Sequence, residues 1–181
     1  MRNNQSAVNT LGRLIALLTF SFVASPVCAS PSAGEPVQNT QGQLIGSILG
    51  PVNESPRLKP SVVIQLNDGE KKVKTNCCLT SQGDSLVLNE SVISKSDNES
   101  AIEAAFEVRA MTMVMIMQSH EDTRLLGDVT DLVYDLHDNT LHIRGSLDSV
   151  DSFHRVLNVT IELCDYEIAP DITIRRPIVP S

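Results

Sequence analysis

Residues 105–118 read AFEVRAMTMVMIMQ, and the way this stretch folds decides how the rest of the chain is arranged. Phe106, Val108, Ala110, Thr112, Val114 and Ile116 share one parity, while Glu107, Arg109, Met111, Met113, Met115 and Met117 share the other. Side chains alternate across a strand with period two. In an extended conformation one face is therefore small and aliphatic, and the other begins charged and becomes a methionine ladder. A segment that turns apolar on both faces predicts a central strand covered on both sides. Val108, Thr112, Val114 and Ile116 are β-branched and favour strands. A helix, the alternative, would scatter the methionines over two stripes. The stretch thus predicts the longest and most buried strand, from Phe106 to Met117.

Outward from it the pattern stays β-like. In DLVYDLHDNTLHIRGSL (131–147) a turn at Asp138-Asn139 sets Leu136 opposite Leu141, Tyr134 opposite Ile143 and Leu132 opposite Gly145, all on one face. The other face takes Asp135 opposite His142 and Val133 opposite Arg144. In SVVIQLNDGEKKVKT (61–75) the Asp68-Gly69 turn pairs Ile64 with Val73 and Val62 with Thr75. DSLVLNESVI (84–93) offers strands at Ser85–Leu88 and Val92–Ile93, and HRVLNVTIELC (154–164) a last strand with Leu157, Val159, Ile161 and Leu163 inward. About seven short strands with turn signals between them predict an all-β fold, an antiparallel sandwich or small barrel.

The chain opens with Arg2 and Arg13, an apolar run from Leu14 to Ala24, and small residues ending in Val27-Cys28-Ala29. These are the parts of a secretory signal peptide, cut after Ala29. The run is too short to span a bilayer, which takes about 20 residues. The expected organisation is a signal peptide at 1–29, a Pro/Gly/Ser/Gln-rich flexible arm at 30–59 holding one short strand near Leu44–Leu49, a β domain at 60–168, and an extended tail at 169–181. The protein is expected to be exported, periplasmic or extracellular, with no transmembrane segment. Loss of Arg2 and Arg13 moves the net charge from −8 to −10, which argues against nucleic acid or an anionic membrane as partner.

Cys77, Cys78 and Cys164 survive that cleavage. In an oxidising compartment three cysteines predict one bridge and one thiol. Adjacent residues of a strand face opposite ways, so the bridge joins Cys164 to Cys78 or, alternatively, to Cys77. Asn53, Asn89, Asn98 and Asn158 each begin an N-x-[ST] acceptor and predict a glycoprotein if the source is eukaryotic.

Met111, Met113, Met115 and Met117, on one strand face, would offer thioethers to Cu(I), a soft ion that selects sulfur. Ala110-Met111-Thr112-Met113 resembles the AMTM core of periplasmic copper- and silver-efflux binding proteins. The match covers four residues and lacks that family's tryptophan. The competing reading is that methionines fill gaps in a core whose aromatic residues are Phe106, Phe153, Tyr134 and Tyr166 alone. His137 and His142, with Asp135, read as an exposed cross-strand ion pair in which the carboxylate favours protonated His142. His120 falls in a polar loop, His154 opens the last expected strand, and the aspartates from Asp128 to Asp151 form a solvated acidic face. There is no G-x-S-x-G, H-E-x-x-H, P-loop or G-x-G-x-x-G, which weighs against an enzyme. The expected function is therefore a non-catalytic binding or assembly module for a protein partner or small ligand, without a cofactor. A periplasmic copper protein using the methionines is the first alternative, and a hydrolase without a recognisable motif the second.

Overall fold

The computed structural model describes residues 30–52, 55–90, 96–119 and 124–176. Among these, nine strands join in one sheet: β1 (Pro36–Gln38), β2 (Leu44–Pro51), β3 (Ser61–Leu66), β4 (Lys71–Thr75), β5 (Leu79–Gln82), β6 (Ser85–Leu88), β7 (Val133–His137), β8 (Thr140–Leu147) and β9 (Glu167–Ile174). Their order is β5-β6-β1-β2-β3-β4-β9-β8-β7. Helices α1 (Glu99–Ser119), α2 (Arg124–Thr130) and α3 (Val150–Leu163) complete the described fold. The protein is mostly β, as its sequence predicts. The sheet, however, is open between its edges β5 and β7, and neither the expected sandwich nor a closed barrel is formed. The expected central strand, 106–117, lies within α1, and the expected last strand, 154–164, is helical as far as Leu163. The expected leader at 1–29 and the strand expected at Val92–Ile93 lie outside the described residues.

Local chemistry sets the register. Asp138 and Asn139 both take positive φ, 47° and 59°, the geometry of a two-residue turn whose twist suits a hairpin. β7 and β8 accordingly pair Leu136 with Leu141, Tyr134 with Ile143, Asp135 with His142 and Val133 with Arg144, as predicted. Gly145 is required there: a Cβ would stand 2.4 Å from the Asp131 carbonyl oxygen and 3.1 Å from Leu132. The β3–β4 hairpin exists but is offset by one residue. Leu66 N–H bonds the Glu70 carbonyl, so the loop takes Asn67, Asp68 and Gly69, the last with φ 94°. Val63 then opposes Val73 and Ile64 opposes Lys72. A shift of one residue exchanges the faces, so Val73 enters one core while Val62 and Ile64 enter another.

The flexible arm and the surface tail are also corrected. β1 and β2 lie inside the sheet, between β6 and β3. Leu58 is buried and bridges Ile168, with Lys59 N–H on the Ile168 carbonyl and Ile168 N–H on the Arg57 carbonyl. β9 is a central strand, parallel to β8 and antiparallel to β4. Pro170, which lacks the N–H a ladder needs, sits between the Arg57–Lys59 contacts and the β4 pairing that begins at Asp171.

Two cores result. The larger lies between the helices and the β4-β9-β8-β7 half and contains Ile116, Leu132, Leu141, Phe153 and Ile172. The smaller collects Val37, Ile48, Val62, Ile64, Leu79 and Leu86 from the other half. α3 is the crossover between the parallel strands β8 and β9, the usual way of joining such a pair.

Candidate functional site

α1 begins where Asn98 Oδ1 accepts the Ser100 backbone N–H at 3.1 Å and the Asn98 carbonyl accepts from Ala101 and Ile102, an Asn cap of the usual kind. Ala105, Val108, Thr112 and Ile116 then recur at spacings of three and four and make one buried stripe. This stripe packs on β7 and α3. Arg109 reaches sideways to donate to the Thr130 carbonyl at 2.7 Å, tying α1 to the end of α2. Thr112 returns its hydroxyl proton to the Val108 carbonyl at 2.8 Å, the bond that lets a buried threonine sit inside a helix.

Those four residues satisfy the inner side, yet α1 also carries large apolar side chains outside that stripe. Phe106 is 69 % exposed, Met117 57 %, Val114 50 % and Ile102 49 %. No other described element presents so many large apolar side chains to solvent. Scattered exposed hydrophobics are ordinary, whereas a contiguous set marks an interaction surface.

The helix also divides the methionines. Met113 packs against the larger core. Met111 and Met115, one turn apart, line an apolar depression of about 300 Å³ with Val114 and Leu163. Met117 is among the exposed side chains. Every second residue of a helix falls nearly opposite its predecessor, so the four-sulfur face required by the copper alternative is not formed. Among the described residues, no three His, Cys, Asp or Glu side chains converge as a metal site.

Beside the depression runs a trench of about 510 Å³ between Ala104, Glu107 and Met111 of α1 and Asn139, Cys164 and Tyr166 opposite. It continues towards His137 and Asp138. Asp165 is engaged by Arg57 at 2.9 Å, and His137 Nε2 lies 3.2 Å from Asp138. The first is a surface ion pair of small energetic weight, and the second contact is equally exposed. The Arg57 guanidinium also donates to the Ile161 and Cys164 carbonyls at 3.0 and 2.5 Å, closing the C-terminus of α3 with a cation as its dipole favours.

The predicted bridge is absent. Cys78 faces the smaller core, where its sulfur lies 3.2 Å from the Thr75 hydroxyl, and Cys164 belongs to the larger core. Both remain thiols, and burial pushes the Cys164 thiol above its ordinary value. Cys77 is disulfide-bonded, but not to Cys164. His142 departs from expectation as well. Arg144, not His142, takes the Asp135 carboxylate. Burial, followed by the nearby charges of Lys59, His137 and Arg144, holds the imidazole below its usual value, against the smaller pull of Asp135. Lys74, 5 % exposed, pairs with Asp171 at 2.5 Å on the same sheet face.

Of the acceptor asparagines, Asn158 is exposed on α3, not on a strand, Asn98 caps α1, and Asn89 donates to Thr80 Oγ1 at 2.9 Å after β6. Asn53 and His120 lie outside the described residues. His154 lies on α3, its ring 5.5 Å from that of Phe153. Asp128 is buried, whereas Asp131, Asp138, Asp148 and Asp151 are exposed. Among the described residues no helix is long and apolar enough to cross a membrane. No protein-family model, curated protein or solved structure matches this chain. The feature that the sequence reading did not place is the exposed outer side of α1. Its signal was present: at 3.6 residues per turn, the stretch 102–117 has more apolar residues than one buried stripe accommodates.

Proposed function

We propose that this protein is an exported, non-catalytic binding or assembly module whose interface is the outer side of α1. The observation that carries this reading is the exposure of Ile102, Phe106, Val114 and Met117 on a helix whose inner stripe is already satisfied. Leaving such a surface wetted costs roughly 25 cal/mol for every Å² of apolar area that a partner would otherwise cover.

A photo-reactive amino acid in place of Phe106, in cells making the full chain, tests this. The same amino acid in place of Asp84, exposed in the turn between β5 and β6, is the control. Irradiation should give a discrete adduct from position 106 and none from position 84. No adduct from 106, or equal adducts from both, would contradict the reading.

A further inference from the structure

The charge and size pattern along α1 says what kind of partner its outer side fits. Ile102, Phe106, Ala110, Val114 and Met117 follow one another at spacings of four, four, four and three, a stripe roughly 22 Å long at 1.5 Å per residue. All five are exposed. The small residue, Ala110, is at the middle, with large apolar side chains on either side. Every acidic residue of α1, namely Glu99, Glu103 and Glu107, precedes Ala110, and nothing from Ala110 to Ser119 carries a charge.

We propose that a second copy of this chain docks here, its α1 antiparallel to the first and related by a two-fold axis at Ala110. This rests on the reading of α1's outer side as an interface and names its occupant. In such an arrangement, residues equidistant from Ala110 on opposite sides meet across the axis. Phe106 of each copy faces Val114 of the other, and Ile102 comes against the Met117–Gln118 end. Glu103 comes beside Met117 and Glu107 is level with Met113 of the other copy, which is turned to the core, so no glutamate meets a glutamate. A parallel pairing would align the three glutamates of each copy and be repelled. The surface is thus self-complementary in one orientation only, as an isologous contact requires. Ala110 at the crossing lets the two axes approach closely. Five stripe residues are far fewer than the roughly 20–30 residues a side of a standard stable complex, so the pairing is reversible. Each copy carries a net charge of −8, or −10 once the expected leader is removed, so salt, by screening that repulsion, tightens the pairing, whereas it would loosen a contact with a cationic partner.

Sedimentation equilibrium of the full chain over rising concentration should show a monomer–dimer equilibrium that strengthens with salt. Phe106→Glu and Val114→Glu should each weaken it by about tenfold or more, because each buries a charge at the centre of the contact. Retained thermal unfolding in either variant shows that the fold is intact. Ala110→Cys should form a disulfide-linked dimer under mild oxidation, while Glu103→Cys, far from the axis, should not. A parent that stays monomeric at every concentration, or cross-linking through Glu103→Cys and not Ala110→Cys, overturns the proposal. A photo-adduct at position 106 with a mass other than twice the chain overturns self-docking but keeps the binding reading. No adduct together with a monomeric parent removes both.

Discussion

α1 and α3 lie side by side on the same half of the sheet, yet their sequences distribute apolar residues in different ways. α3 is one-sided: Phe153, Val156, Leu157 and Thr160 are buried, while Asp151, Arg155, Asn158 and Glu162 face water. Its ends are closed by chemistry specific to a helix, with Ser149 Oγ accepting the Ser152 N–H at 3.0 Å and Arg57 on the last carbonyls. α1 buries a comparable stripe and then exposes a second one. A helix that is part of the core alone has no use for Phe106 and Met117 in water. α3 is explained by the fold, whereas α1 carries a second apolar stripe that the fold leaves in water.

The two phenylalanines give the largest contrast. Phe153→Ala, at 3 % exposure, should cost about 3–5 kcal/mol of stability. Phe106→Ala, at 69 % exposure, should cost less than about 0.5 kcal/mol. Chemical denaturation of the two variants in dilute solution checks this, and a large loss from Phe106→Ala would erase the distinction between the helices. Next in size, Arg57→Ala should destabilise by about 1–3 kcal/mol, since it strips a charged donor from two carbonyls at the end of α3. Ser149→Ala should cost about 1 kcal/mol through loss of the cap. If both were neutral by denaturant titration, α3 would not be the securely closed helix described here.

The smallest effect depends on pH. Asp128 is buried beneath the start of α3, where the Ser152 hydroxyl donates to it at 3.3 Å. Burial first, and Asp148 second, holds its carboxyl above the usual carboxylate range near 3.8. The folded protein thus binds that proton more readily than the unfolded chain. This contribution to stability is complete below the unfolded value and lost as pH rises through the folded one. Asp128→Asn should therefore melt a little above the parent at pH 7, with the gap closing as the pH falls through the carboxylate range. A lower melting temperature at pH 7 would mean that the ionised carboxylate is stabilised by its surroundings.

The same contrast explains what could be read in advance. The Asp138-Asn139 hairpin was legible down to its register, because two residues that tolerate positive φ fix the turn and strict alternation fixes the faces. The Asp68-Gly69 hairpin was legible to within one residue, since a Gly can close a two- or a three-residue loop. α3 was legible in principle: Ser149 precedes a helical run at Phe153, Val156, Leu157 and Thr160. The β-branched Val156, Val159, Thr160 and Ile161 pointed to a strand instead, and tertiary packing overrode that preference. α1 could not be settled by periodicity, because a segment apolar at nearly every position fits both templates. The strong helix preference of methionine and alanine was the better guide there. β9 was hidden by Pro170, which is tolerated because it falls where no neighbouring strand asks for its N–H.

The central claim is that residues 99–119 form a helix with one side in the core and the other open. Hydroxyl-radical footprinting at submicromolar concentration, read residue by residue along this segment, tests it most directly. Labelling should rise at Ile102, Phe106, Val114 and Met117 and fall at Val108 and Ile116, following a period of 3.6 residues. Labelling that alternates with period two, or that marks Ile116 as heavily as Met117, would contradict the account.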